Sequence, residues 1–541
     1  MTSGRRVIEA GWGAMGAGDS VDEVDSEPRP TPVPPLGWPW AALAGVLASG
    51  AALATGEFIA GFSSKLRSPV VNVGDRIIPH VPAAVREWAI RNFYKSDKKA
   101  LVVGIVIVVA ILGGVIGVVA VRHSRRVALG AVGIVMIIGW WAALAEPHRP
   151  WTAVFPTLFG GLVAIGVLAG LGRRRAPARA DSNAPVSMGV DRRRFLIGAG
   201  GVAMGTAAAG SLGMWMQHRV RAVAERASVI LPKALRPLAA PAADPAATIP
   251  GLTPRYVSNS AFYRIDTAIV TPSITPSSWH LTVKGMVDHP LTISYADLLA
   301  RPMIEADVTL SCVSNEVGGD LVGNARWLGC RLDDLLNEAG IHPDADQIVG
   351  RSVDDFTAGF PVSALDGRNA LIAVGMNGEP LPISHGYPAR LVVPGLYGYV
   401  SATKWLSSIE LTRFDQLEGY WIPRGWAALG PIKTEARIDV PSRATVAGPT
   451  VIAGVAWAPH RGISKVEVQV EGQDWIEATL DTSAGSDSWC QWWVNWTATP
   501  GEHGIRCRAT DGTGVIQTED KADPAPDGAS GWHTIFVNVT Q

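Results

Sequence analysis

The chain has 541 residues, of which 48% are hydrophobic and 18% charged, and its formal net charge is -1. That balance gives no sign of a nucleic-acid partner. Its four cysteines, Cys312, Cys330, Cys490 and Cys507, fall in no CxxC or CxxCH pattern, which argues against structural zinc and covalently attached haem.

Residues 1–37 combine Gly, acidic residues and the Pro-rich run Arg29 to Pro35, and read as a disordered cytoplasmic tail. Apolar stretches then follow at 38–62, about 100–121, 127–145 and 152–171, with a weaker Gly- and Ala-rich one from Phe195 to Met216. Each is long enough, or nearly so, to cross roughly 30 Å of hydrocarbon as a helix, so residues 38–218 are expected to form an α-helical transmembrane domain of about five spans. The basic loops Arg122 to Arg126 and Arg173 to Arg194 belong inside, which puts the N-terminus in the cytoplasm and the remainder of a multi-pass cell-membrane protein on the extracytoplasmic face. The loop between the first two spans holds Lys65, Arg67, Arg76, Arg86, Arg91, Lys95, Lys98 and Lys99 and lies outside in this reading. Reversing the topology would misplace two short basic loops instead of one longer loop that can fold at the surface. Asp191-Arg192-Arg193-Arg194-Phe195-Leu196 resembles a twin-arginine signal, although a positive-inside flank accounts for the same arginines; a folded, cofactor-loaded domain downstream would favour export. His80, His123, His148 and His218 fall in loops or at helix ends, so no haem b is expected in this chain.

Residues 219–258 read as a Pro- and Ala-rich extended tether. Roughly 320 residues follow the spans, room for two ordinary domains. In 259–435, strand-like Trp279 to Val283 and Leu371 to Val374 mix with amphipathic Tyr295 to Ala300 and Leu332 to Ala339, indicating an α+β domain. In 436–541, short alternating runs at 450–457, 464–470, 488–496, 504–510 and 532–539 predict an immunoglobulin-like β-sandwich. Cys490 and Cys507 flank an expected hairpin only loosely opposite each other, which leaves a disulfide between them open.

Chemistry concentrates at Val308-Thr309-Leu310-Ser311-Cys312-Val313-Ser314-Asn315, where a β-branched run delivers a cysteine onto a polar loop. Cys330, inside an apolar run, reads instead as a small buried hydrophobe. A Cys–His protease is the competing enzyme reading, and no second residue identifies it. In His385-Gly386-Tyr387-Pro388-Ala389-Arg390 and Ser401-Ala402-Thr403-Lys404-Trp405, an imidazole, a guanidinium and an ammonium meet on a Gly/Pro-rich loop, a pattern suited to clamping a phosphate.

Leu310-Ser311-Cys312, Gly323-Asn324-Ala325-Arg326-Trp327, Met376-Asn377-Gly378-Glu379-Pro380-Leu381-Pro382, the His385 to Arg390 segment and Lys404-Trp405-Leu406 together resemble the sulfite oxidase family of molybdopterin enzymes, in the family's order over residues 255–540. The resemblance implies the molybdenum–molybdopterin cofactor, with Cys312 as the metal's protein thiolate and His385, Arg390, Thr403 and Lys404 at the pterin phosphate. It places Phe262, Tyr263 and Arg264 near the cofactor, with the Arg264 side chain toward substrate, and Asp354, or Asp355 one register on, at the pterin ring nitrogens. Arg461 would come from the sandwich and share a positive pocket over the metal with Arg264. The implied reaction is two-electron oxygen-atom transfer.

Two departures limit the substrate. Glu316-Val317 stand where sulfite-oxidising members carry two arginines, and the expected pocket tyrosine aligns with Trp426, with Tyr420 nearby as its replacement. The expected substrate is therefore a small oxyanion, sulfite or another S- or N-oxide. Expected partners are a separate electron acceptor, cytochrome or quinone, the membrane, and a second copy through the sandwich as a homodimer. A relative of the family's methionine-sulfoxide reductases and a cofactor-free extracytoplasmic binding module are the alternatives.

Overall fold

The structure is a computed structural model that describes residues 37–63, 66–77, 81, 82, 85, 88, 97–145, 150–172, 188–219, 222–235, 237–239, 243–481, 483 and 485–541; side chains at 97–99, 188–194, 214–219 and 222–224 are outside that description. The side chains of Asp191 to Arg194 in the twin-arginine-like segment, and the loop holding Arg173 to Arg175, therefore lie outside the described residues.

Seven helices open the described chain: α1 (Trp38–Ala60), α2 (Pro69–Ile77), α3 (Asp97–Arg122), α4 (Arg125–Leu144), α5 (Phe155–Gly172), α6 (Met188–Arg219) and α7 (Ala222–Ser228). Five segments are long and apolar enough to cross a membrane, and they coincide with α1, α3, α4, α5 and α6. Helix α1 sits centrally and meets α3 through glycine: a Cβ on Gly45 would stand 1.9 Å from the Gly113 carbonyl oxygen, so only the bare backbone permits this approach. The basic loop between the first two spans is partly folded, because it contains α2 and an Arg67–Asp75 ion pair of 3.0 Å. At Gly74, α2 touches the β-rich part, where a Cβ would stand 2.7 Å from Ile269 Cδ1.

The segment expected as an extended tether opens instead with α7, and its described residues are fastened at several points. Arg226 donates to the carbonyls of Leu381 and Pro380 at 2.8 and 2.6 Å, Leu235 N–H donates to Met303 O, and Arg255 is buried against Asp481. Buried backbone and guanidinium groups need partners, and this segment finds them on the strands it crosses.

The first β-rich part contains β1 (His280–Gly285), β2 (Leu291–Ser294), α8 (Tyr295–Leu299), β3 (Ile304–Ser311), β4 (Val322–Arg331), α9 (Leu332–Ala339), β5 (Gln347–Ser352), β6 (Thr357–Pro361), β7 (Leu371–Met376), β8 (Glu379–Pro380), β9 (Arg390–Val392), α10 (Gly398–Ser401) and β10 (Leu406–Thr412). One sheet runs β2-β1-β10-β5-β6 and the other β3-β4-β7-β8, with β9 on β7. Helix α8 begins at a capping box of Ser294 and Asp297, and α9 buries Leu332, Leu335, Leu336 and Ala339 at the spacing of one helix face. The β7–β8 hairpin turns at Asn377 and Gly378, both with positive φ (52° and 80°), as Asn-Gly favours.

The second β-rich part contains β11 (Glu435–Val440), β12 (Ala444–Val446), β13 (Gly448–Trp457), β14 (Ile463–Val470), β15 (Ile476–Glu477), β16 (Thr479–Asp481), β17 (Cys490–Ala498), β18 (Gly501–Asp511) and β19 (Thr534–Thr540). Sheets β11-β13-β17-β16 and β12-β19-β18-β14-β15 pack around one core that includes Ile452, Trp492, Val468, Ile505 and Val537. Cys490 and Cys507 are both free and buried, which settles the open disulfide. The expected hairpin is corrected, because β17 and β18 follow each other in the chain but belong to opposite sheets. Trp457 and Trp489 leave this core and join that of the first part, so the hydrophobic interior runs across both.

Candidate active site

Strand β3 delivers Cys312 to a loop closed by its own hydrogen bonds. Cys312 N–H donates to Leu321 O (2.9 Å), Asn315 N–H to Cys312 O (3.0 Å), and Leu321 N–H to Asn315 Oδ1 (2.8 Å). Burial pushes the Cys312 thiol up, while hydrogen bonds from Ser314 and the Lys404 charge push it down. The thiol is thus held neutral without a metal, and coordination by a cation would remove its proton.

The Gly323 to Trp327 motif supports this arrangement from β4. A Cβ on Gly323 would stand 2.9 Å from the Phe262 ring, so glycine there seats Phe262, which meets Trp327 and His385 edge-on at 5.9 and 5.6 Å and stacks on Tyr263 at 5.3 Å. Arg326 forms a two-pronged pair with Asp307 at 2.8 and 2.9 Å. The Arg390 guanidinium lies over the Trp327 ring, its Cζ 5.1 Å from the ring centroid.

The three cations of the His385–Lys404 segment converge. Arg390 is buried, and its guanidinium donates to the carbonyls of His385 (3.1 Å), Leu391 (3.3 Å) and Ala402 (3.4 Å); no carboxylate pairs with it among the described residues. Burial pulls its pKa down to about 10. Lys404 Nζ bonds Asp266 (3.0 Å) and the Ile265 carbonyl (2.9 Å), and burial lowers its pKa to about 8, Asp266 opposing. His385 is lowered to about 4 by burial and by Arg390 and Lys404. Its Nε2 stands 3.0 Å from the Asn259 carbonyl, which can only accept, so the neutral ring carries its proton there and Nδ1 its lone pair. Thr403 is buried and donates to Gly350 O at 3.3 Å. On the loop after β5, Asp354 Oδ1 is buried with no hydrogen-bond partner among the described residues, whereas Asp355 faces Arg351 at 3.9 Å.

This donor set fits an anionic, nitrogen-rich group: a buried guanidinium lacking a counter-charge, a second cation beside it and an orphaned carboxylate oxygen that needs N–H donors.

Arg264 joins this cluster, whereas Arg461, Tyr420 and Trp426 have partners of their own. Arg264 donates to Asp266 (2.8 Å) and Thr271 (2.7 Å), on the Lys404 side. Arg461 is engaged by Asp511 (2.9 Å), Ile432 O (2.9 Å) and Thr434 (3.1 Å). Arg264 thus shares the Asp266 carboxylate with Lys404, and Arg461 pairs with Asp511. Tyr420 packs on Phe356 (5.7 Å) beneath Arg424, and Trp426 on Tyr399 (5.9 Å). The tyrosines close enough to Cys312 to feel its charge are Tyr263 and Tyr397, and burial raises both. Sequence reasoning also missed Asp266, Asn259 and Glu435. Glu435 is buried beside Asn315, its Oε2 has no partner among the described residues, and burial pushes its pKa up to about 8. Glu316 and Val317 line a cavity of about 500 Å³ together with Lys521, Asp523 and His533.

Comparison with known proteins accords with the donor set. The family described as "oxidoreductase molybdopterin binding domain" matches residues 268–421. The uncharacterized oxidoreductase YuiH of Bacillus subtilis (strain 168) is 34% identical over 154 residues, 28% of this chain and 75% of that protein. Mitochondrial sulfite oxidase of Rattus norvegicus is 26% identical over 343 residues, 53% of this chain. The chain belongs to the sulfite oxidase family of molybdopterin-dependent oxidoreductases. It spans 62% of the length of the rat family member. Among solved structures, the sulfane dehydrogenase SoxCD of Paracoccus pantotrophus matches 52% of this chain and 81% of its own at 22% identity, with a TM-score of 0.46.

Proposed function

We propose that this chain is a membrane-anchored molybdenum oxidoreductase that moves an oxygen atom to or from a small oxyanion or an S- or N-oxide. Arg390 carries the reading, because a buried guanidinium held only by carbonyls is costly unless an anion completes it. In this reading Arg390 and Lys404 neutralise the pterin phosphate, with Thr403 beside them. His385, neutral beforehand, takes a proton on Nδ1 as that anion arrives. Asp354 accepts from pterin ring N–H groups, and Phe262 and Tyr263 close the cofactor off from water. Cys312 supplies a soft thiolate that leaves other metal positions open, and Ser314 and Lys404 offset the cost of its charge. Molybdenum, when bound, supplies the two-electron redox chemistry.

A relative named for sulfite supports a sulfur oxyanion as substrate class, whereas Glu316 supports something less dependent on positive charge. Residues 259–435 and 436–541 act as the catalytic and immunoglobulin-type dimerisation domains, the five spans anchor them outside the cytoplasm, and Arg192 to Arg194 serve export. Protease added to intact cells checks that placement by cleaving the soluble part. The function is tested by metal and pterin analysis of the full chain and of Cys312→Ser. Molybdenum near one per chain, with activity lost but pterin kept in Cys312→Ser, is the expected result. Absence of molybdenum from protein made in a cofactor-competent host refutes it.

A further inference from the structure

An apolar cavity of about 160 Å³ lies inside the helical bundle, walled by residues of α1, α2, α3, α4 and α5. It is near the size of an engineered apolar cavity of about 150 Å³ that stays dry and accepts a benzene ring, so it holds one substituted six-membered ring. Two hydroxyls line it. Ser49 Oγ donates to Gly45 O at 3.1 Å, but Thr157, 8% exposed, has no partner for Oγ1 among the described residues. An unpaired hydroxyl in an apolar chamber lacks an acceptor.

The helices that wall the chamber also touch the cofactor side. Val73 and Ile105 form part of its wall, and between them Gly74 meets Ile269 of the β-rich part: a Cβ on Gly74 would stand 2.7 Å from Ile269 Cδ1 and 3.4 Å from Ile105 Cδ1. Three residues before Ile269 is Asp266, bonded to Lys404 in the cation cluster. The cluster and the cavity wall are thus joined by one short loop.

We propose that this cavity binds the ring of a membrane quinone, with the Thr157 hydroxyl donating to a quinone carbonyl, and that the quinone is the enzyme's electron acceptor. This rests on the oxidoreductase reading above. The balance closes: substrate and water give oxidised substrate, two protons and two electrons, and the quinone takes both pairs to become quinol. A lipid acyl chain also suits apolar walls, but it offers Thr157 no acceptor.

The test uses the full chain in nanodiscs of defined phospholipid and a short-tailed azido-benzoquinone. Photolabelling is expected within α4 or α5, competed by unlabelled quinone, with affinity about fivefold weaker in Thr157→Val, the worth of one neutral hydrogen bond. Thr55→Val, whose hydroxyl already bonds Ala51 O at 2.8 Å and lies off the cavity, serves as control and should label like the native chain. Labelling elsewhere, equal affinity in Thr157→Val, or recovery of acyl chains alone from the cavity overturns the quinone site. Turnover with ferricyanide reports the soluble part separately: activity there without quinone binding defeats only this inference, while molybdenum-loaded protein inactive with ferricyanide defeats the oxidoreductase reading.

Discussion

Replacing Glu435 with glutamine isolates one buried proton behind the Cys312 loop. The Glu435 carboxyl is 4% exposed, and burial lifts its pKa from an ordinary 4.5 to about 8 against the pull of Asn315, Lys433 and Arg437. Between those values the folded chain keeps a proton that the unfolded chain releases, so stability falls as pH rises through the window. From about pH 5.5 to about pH 7.5 the fall reaches at most about 2.7 kcal/mol, at 1.36 kcal/mol per unit, and local relaxation reduces it to about 1–2 kcal/mol. Glutamine keeps the shape and does not titrate, so Glu435→Gln should lose about 2–8 °C less melting temperature over that range than the native chain. Differential scanning fluorimetry of both proteins, followed through the tryptophans of the soluble part, measures this. Parallel curves would show that Glu435 is ionised at neutral pH and that the argument from burial is wrong.

Asp354→Ala should have opposite effects on the two states of the protein. Relieving an orphaned buried oxygen stabilises the cofactor-free chain by about 1 kcal/mol, while the lost charge-assisted bonds weaken pterin retention about tenfold to hundredfold; melting and pterin assays on matched preparations check both. Because Lys404 is charged only below about pH 8, molybdopterin uptake by cofactor-free protein should weaken as pH rises through that value. Lys404→Arg should shift that loss to higher pH, and a flat uptake profile in the native chain would remove Lys404 from the phosphate site.

What the sequence revealed was what repeats or is local. The spans carry unbroken apolar runs, the Asn377-Gly378 turn has one favoured geometry, and α9 shows its period in four residues. Cys312 and the cations were found as ordered motifs. The Arg264–Asp266–Lys404 junction was not, because Asp266 and Lys404 stand 138 positions apart and nothing periodic links them. Tyr397 and Glu435 were missed for a related reason. A tyrosine in a Gly-rich loop and a glutamate opening a strand look solvent-facing in sequence, yet both are buried here by residues distant in the chain. Trp426 and Tyr420 drew attention by alignment alone, and the aromatic cluster with Phe356, Tyr399 and Trp421 absorbs them.

Strand β3 is the edge of its sheet, and its outer side is sealed by the sandwich: Thr309 N–H donates to Asp487 O (2.9 Å), Trp489 N–H to Thr309 Oγ1 (2.7 Å), and Trp489 Nε1 to Arg255 O (2.9 Å). An exposed strand edge is a template for aggregation. A chain truncated after β10 would bare that edge three residues from Cys312 and leave a hole where Trp457 and Trp489 enter the core. The second β-rich part therefore does for β3 what a neighbouring strand would do, and it holds in place the strand that ends at Cys312.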